Sequence, residues 1–212
     1  MGLFVLYLGV RKQFPDLAHH TILLGRRYKE LLEEIFNHKL LSDDISLYLH
    51  APTRTDPSLA PPGCESMYAL VPVPNLECLH RDQAIDWAVA GPRFANHTIE
   101  VLEQSVCPGL REHIEVQFHV TPEHFRDNLR TEHGTGFSIQ PSLLQSAWFR
   151  YHNRSEDVRG LYLVGAGTHP GAGLPGVLCS AKVLEHFFDE MRQGGSESAS
   201  QAGKENRWRG VA

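Results

Sequence analysis

Cysteine is scarce in this chain. Cys64, Cys78, Cys107 and Cys179 are the four in 212 residues, widely separated and with no CxxC pair. That pattern excludes a dense disulfide framework or a thiolate metal clip and reads as reduced thiols of a cytosolic protein. Basic charge is also short: 20 Lys and Arg against 25 Asp and Glu leave a net charge of -5. A phosphate-tracking surface needs the opposite sign, so nucleic acid is not an expected partner. Long apolar runs are missing too. Phe4 to Val10 is far too short to span a bilayer, no basic residue precedes it, and no small-residue cleavage site follows it. Gly2 does not open a myristoylation motif, because Leu6 stands where Ser or Thr is needed. With no GxSxG elbow, P-loop or HExxH, hydrolase, NTPase and zinc-protease chemistry have no support.

What is present is an ordinary globular composition, 42% hydrophobic and 21% charged, with enough residues to bury a good core. The 13 histidines show no metal-ligand spacing, and no metal is expected. His19 and His20 are adjacent, so on a regular strand they would point to opposite faces.

Phe4 to Val10 reads as a strand covered on both faces. Tyr28, Leu31, Leu32, Ile35 and Phe36 fall at helical spacing with one buried face. Ile45 to His50 is a second strand, and Met67 to Val73 a third. Between them, Pro52, Pro57, Pro61 and Pro62 keep residues 51–63 irregular. Ala95, Thr98, Ile99, Leu102 and Val106 mark a helix ended by Pro108-Gly109. Ile114, Val116, Phe118 and Val120 alternate with Glu115, Gln117 and His119, a strand with one wet face. Thr121 and Pro122 open another helix as cap and first residue. Hairpin-like and crossover spacings both occur, so the expected class is α/β with a mixed sheet.

The most informative stretch is Leu161-Tyr162-Leu163-Val164-Gly165-Ala166-Gly167-Thr168-His169-Pro170-Gly171-Ala172-Gly173-Leu174-Pro175-Gly176-Val177. It reads as strand, glycine loop and helix, the helix carrying Val177, Ala181, Leu184, Phe188 and Met191 at apolar spacing. A helix beginning near Gly176 turns unpaired N–H groups and a positive dipole end towards the loop, and Pro175 suits its first turn. Gly171-x-Gly173-x-x-Gly176 matches a nucleotide fingerprint in form only, without the adjoining strand, second strand and acidic residue that the fingerprint requires. A glycine-rich turn for close helix packing explains the same residues.

The wording of residues 161–177, followed by Ser180-Ala181-Lys182, resembles the C-terminal signature of the bacterial and fungal carotenoid desaturases, the phytoene desaturase family. Upstream phrases resemble it as well: Leu17-Ala18-His19-His20-Thr21-Ile22, Ser46-Leu47-Tyr48-Leu49-His50-Ala51-Pro52-Thr53, Thr55-Asp56-Pro57-Ser58-Leu59-Ala60-Pro61 and Gln145-Ser146-Ala147-Trp148-Phe149-Arg150. That family opens with a Rossmann unit, and no stretch here resembles one. The resemblance therefore implies a C-terminal part: a substrate domain over residues 1–155, the closing strand, loop and helix of the FAD domain over 156–192, and a disordered tail over 193–212.

It also implies FAD as cofactor, since removing hydrogen from an unactivated hydrocarbon exceeds the side-chain repertoire. Phytoene, dehydrogenated stepwise towards neurosporene or lycopene, would be the substrate, and oxygen or a quinone the electron acceptor. Peripheral association of a cytoplasmic protein with a membrane is implied too. Gly165, Gly167 and Thr168 would lie along the ribityl and pyrophosphate side of the flavin, although Thr168 stands where many related flavoenzymes have an acidic residue. Gly173, Leu174, Pro175, Gly176 and Val177 would present the helix N-terminus to the ring, with His169 near it as a loop-shaping residue. No catalytic base stands out; Asp56, Glu65 and His50 lie near the proline-rich loop, and Trp148 and Phe149 are candidates for lining a polyene tunnel. Two readings stay open beside this one: another flavin enzyme such as an amine oxidase or a carotenoid isomerase, and a non-catalytic remnant or hydrophobic binding module.

Overall fold

The computed structural model describes residues 1–77, 84–139 and 142–188. Cys78, Met191 and the tail lie outside them. The chain divides into two compact units, the first Met1–Gly136 and the second beginning at Phe137.

The first unit is built on strand β1 (Gly2–Val10), whose uninterrupted apolar run lets it sit in the middle of a sheet. Strands β2 (His20–Leu23), β3 (Leu47–His50), β4 (Glu65–Val73) and β5 (Ile114–Val120) complete it in the order β2-β3-β4-β1-β5. Helix α1 (Tyr28–Glu33), continued by a wider helical turn over Glu34–His38, links β2 to β3. Helix α2 (Trp87–Ser105) links β4 to β5, and α3 (Pro122–Leu129) follows β5.

Every pairing is antiparallel, not mixed as the spacings predict. The reason lies in the connections. The link through α1 returns the chain to the end of the sheet where β2 left it, so β3 runs back against β2. The link through α2 is a true crossover, but its strands β4 and β5 are separated by β1 and never pair. Spacing reveals a crossover; it does not reveal that a third strand sits between its ends. Pro72 is tolerated within β4 because β3 pairs only as far as Leu70.

One face of the sheet carries Phe4, Leu6, Leu8 and Val10 of β1, Leu47 and Leu49 of β3, and Met67, Ala69, Val71 and Val73 of β4. Helix α2 covers it with Trp87, Phe94, Ala95, Ile99 and Leu102. Phe4 is its centre, edge-on to Phe94 at 5.0 Å and stacked on His119 at 5.2 Å. Asp86 caps α2, its carboxylate accepting the Ala88 N–H at 3.1 Å. The helix begins eight residues before Ala95, ahead of the stripe from which the sequence predicts it. Thr121 occupies the cap position of α3, as expected, but its side chain makes no capping bond.

In the second unit, residues 161–164 form no strand. Tyr162 makes one antiparallel bridge to Arg154, and the Leu163 N–H donates to the Asn153 carbonyl at 2.8 Å. A strand needs a ladder on which to propagate, and within this unit the described residues offer only that short turn. Leu161 and Val164 are exposed as a result. Residues 174–188 are helical, with Val177 and Leu184 half-buried and Ala181 and Phe188 exposed.

Candidate functional site

The loop before helix 174–188 is held from beneath by one side chain. Asn153 is buried, and its amide donates to the carbonyls of Leu163 and His169, both at 3.1 Å. Its carbonyl also takes the Leu163 N–H, so one residue fixes both arms of the loop. Ser180, buried on the helix, joins loop to helix: its hydroxyl accepts the Gly165 N–H at 2.9 Å and donates to the Val177 carbonyl at 2.6 Å. Thr168 is turned inward, its hydroxyl donating to the Gly165 carbonyl at 3.0 Å. The buried Arg150 guanidinium donates to the Ala166 carbonyl.

Above these braces, backbone is open at two of the glycines. Gly165 and Gly173 have φ of +116° and +90°, left-handed conformations that exclude an L side chain, and the direction a Cβ would take is empty for 4 Å at both. Gly173 ends the loop, and its carbonyl accepts the Val177 N–H at 2.9 Å in the first turn of the helix. Gly176 is required by packing: a Cβ there would stand 2.5 Å from the Gly171 carbonyl oxygen. Leu174 is 75% exposed, Gly167 and Val177 are half-buried, and Pro175 lies open at the helix start. A chemically plain surface thus meets a positive helix end, an arrangement suited to electron-rich or anionic atoms. His169 is half-buried beside His152, ring centres 5.0 Å apart, and its Nε2 is buried without a partner.

The first unit holds a second feature, on the sheet face opposite α2. In β5 the expected sides hold only at its start, where Ile114 packs against the core, and change beyond the register shift opposite Gly9 and Val10. His119 and Gln117 stand in register with the core residues Leu6 and Leu8, whereas Val116 and Phe118 are 56% and 54% exposed. The apolar side of β5 continues an aromatic row. Phe118 is paired with Tyr7, Tyr7 with Tyr68, Tyr68 with His50, and His50 with His20, one ring from each of the five strands in direct register. Successive ring centres are 4.6, 5.9, 4.9 and 5.3 Å apart. At about 4.8 Å per strand the row is about 19 Å long. Tyr48 flanks it, edge-on to Tyr68 at 5.9 Å. Burial, then the neighbouring Tyr48, raises the Tyr68 phenol above its usual pKa. Burial, then the charges of His19 and His20, lowers that of His50. Both groups are held neutral.

Of the candidate acids and bases, Asp56 is used as the cap of a short turn, accepting from the Ser58 N–H at 3.0 Å and its hydroxyl at 2.6 Å, which holds its pKa low. Glu65 is buried on the α2 side, bonded to Arg54 and to the Phe14 N–H, both at 3.2 Å. His50 belongs to the aromatic row. Trp148 and Phe149 are largely exposed. The row itself is absent from the sequence reading. Its residues are visible there as aromatic or histidine positions inside strands, but their alignment depends on register between strands up to about a hundred residues apart.

No family model matches the chain. Its sequence is 54% identical to a lycopene-forming phytoene desaturase of Pseudescherichia vulneris over 89% of the chain and 38% of that protein. It is 54% identical to another from Pantoea ananas over 85% of the chain and 36% of the relative. A neurosporene-forming phytoene desaturase of Rhodobacter capsulatus is 48% identical over 90% of the chain and 36% of its own length. Among solved structures, an oxidoreductase from Methanosarcina mazei aligns with 86% of this chain and 33% of its own, at 19% identity and a TM-score of 0.46. The chain thus spans about a third of the length of the curated relatives it matches. Over 85–90% of its length the chain is similar in sequence to proteins named as phytoene desaturases.

Proposed function

We propose that this chain is the C-terminal part of an FAD-dependent phytoene desaturase, with the glycine loop as a flavin-contacting surface and the aromatic row as a surface for the polyene. The observation that carries the reading is the 48–54% identity to proteins named as phytoene desaturases over 85–90% of the chain. The geometry agrees with it. A long hydrocarbon offers no hydrogen-bond handle, so it is recognised by apolar area and by contact with π-faces. A straight row of rings about 19 Å long supplies both.

The open backbone at Gly165 and Gly173 fits a flat ring or a phosphate brought to van der Waals distance, while at half-buried Gly167 the Ser138 hydroxyl stands 3.0 Å from where a Cβ would be. Leu174, Pro175, Gly176 and Val177 set the helix N-terminus against it, and Thr168 braces the loop from within. When bound, FAD supplies the two-electron acceptor that no side chain offers. The chain's own residues orient the ligands; the neutral Tyr68 at the middle of the row places no charge beside a hydrocarbon. A peripheral membrane position, oxygen or a quinone as acceptor, and stepwise product formation belong to the same proposal.

The test is retention of FAD by the purified chain after desalting, compared with Gly176→Ala, followed by incubation with phytoene in mild detergent. Near-equimolar flavin on the unsubstituted chain and its loss from Gly176→Ala support the loop assignment. Flavin retained equally by both removes it. Conversion of phytoene supports the activity; flavin retained while phytoene is untouched and an amine is oxidised instead replaces the substrate.

A further inference from the structure

Where the aromatic row reaches β2, three imidazoles converge. We propose that His19, His20 and His50 form a binding site for a divalent transition metal, with zinc as the fitting ion. One ring nitrogen from each lies within 4.8 Å of those from the other two.

Backbone register creates the cluster. His20 and His50 are direct cross-strand partners of β2 and β3, and the Ala51 N–H donates to the His19 carbonyl at 2.9 Å. His19 precedes β2, so the alternation that would send adjacent strand residues to opposite faces does not apply to it. Its ring is 4.3 Å from that of His20 and 4.7 Å from that of His50, centre to centre.

Two of the three rings are also oriented as ligands would be. His19 Nδ1 is bonded to the Thr55 hydroxyl, and His20 Nδ1 to the Tyr48 hydroxyl at 2.6 Å. Outer partners of this kind fix the tautomer and direct the other nitrogen to the metal. His19 Nε2 faces His50 Nε2 at 2.8 Å, while His50 Nδ1 is buried without a partner. Two nitrogens bonded to one zinc at 2.0–2.1 Å in tetrahedral geometry stand about 3.3 Å apart. A small ring rotation reaches that distance. Three imidazoles match zinc in softness and number, and the exposed side at His20 leaves the fourth position to water. A bound ion would clip the segment before β2 to β3.

Zinc alone is the probe, titrated into the full chain without flavin or substrate, so the outcome does not depend on the proposed enzymatic role. The expected result is one tight zinc per chain, lost in His50→Gln and weakened about tenfold in Tyr48→Phe through its outer-shell hydroxyl. Histidine modification of the unsubstituted chain, mapped by mass spectrometry with and without zinc, gives a reading that no folding defect of a variant can distort. Zinc should protect His19, His20 and His50 while His97 and His124 still react. No one-per-chain binding, an unchanged titration in a folded His50→Gln, or protection confined to other histidines overturns the site.

Discussion

The two faces of the five-stranded sheet are made by alternate residues of the same strands, and they differ in almost every other respect. On the α2 side, aliphatic side chains and Phe4 are fully enclosed. On the other side, rings lie in register across all five strands, and Phe118, Val116 and, at the β2 edge, Ile22 remain more than half exposed. These exposed apolar groups cost free energy that a ligand seated on the face, as proposed above, would recover. The enclosed face accounts for stability. The aromatic face carries the cost of exposure, as a ligand surface does.

The sharpest way to break this comparison is to remove a ring from each face. Phe4→Ala should cost about 3–5 kcal/mol, as buried Phe truncations do, because it empties the space between Trp87, Phe94 and His119. Phe118→Ala, losing mainly its stacking on Tyr7, should cost about 1 kcal/mol or less. Urea unfolding of the two variants measures both. Equal losses would mean that the aromatic face is structural.

A somewhat smaller effect tests the charged end of the enclosed face. Glu65 is 1% exposed, and Arg54 is its cationic partner. Arg54→Met strands a buried carboxylate and should cost about 3 kcal/mol. Adding Glu65→Gln should recover part of that loss. If the double variant is no more stable than the single one, the cost comes from the lost Arg54 contact with the Pro15 carbonyl and not from the unpaired charge.

The enclosed face was legible from the sequence and the other was not. Phe4 to Val10, the stripe Ala95, Thr98, Ile99 and Leu102, and the β4 alternation all follow from periodicity, because burial imposes a repeat on each element separately. Sheet order does not: nothing local in β4 or β5 announces that β1 lies between them. For the same reason alternation alone misplaces Val116, Phe118 and His119 of β5, beyond the register shift opposite Gly9 and Val10. Alternation shows that two sides differ, but the half-buried His119 faces Phe4 and α2, a fact held by residues 87–105. The glycine loop was legible because its constraints are local, a left-handed turn at Gly173 and a close approach at Gly176. Its support was not, since Asn153 and Ser180 are polar residues whose partners are set by the folded loop. The predicted strand at 161–164 failed because strand propensity without a partner yields a single bridge.

Acid provides a finer probe of the enclosed face. Burial lowers the pKa of His119 below its usual value, so the folded state resists protonation. In the unfolded chain this imidazole titrates at about 6.5. Its contribution is therefore present above that pH and is lost as the pH falls through the unfolded value towards the folded one. Stability measured from pH 7.5 down to 5.5 should decline, and His119→Phe should flatten the decline. His50 bears the same sign on the aromatic face. If His119→Phe leaves the slope unchanged and His50→Gln removes it, the aromatic face is the pH-sensitive one.

The least perturbing test changes no residue at all. Cys107 is enclosed below the sheet, and burial pushes its thiol up to about 12. Thiolate is the reactive form, so at pH 8 this cysteine should resist alkylation on two grounds, lack of access and lack of ionisation. Cys179 is exposed on the helix after the glycine loop and Cys64 is half-buried. Of the three cysteines among the described residues, brief iodoacetamide treatment read by mass spectrometry should label Cys179 first, Cys64 more slowly and Cys107 only after urea is added. Because labelling of Cys107 requires the enclosed face to open, its rate in increasing urea should follow the global unfolding transition. Early labelling of Cys107 under native conditions would mean that α2 leaves the sheet without the rest of the unit unfolding, and that the face described here as closed opens on its own.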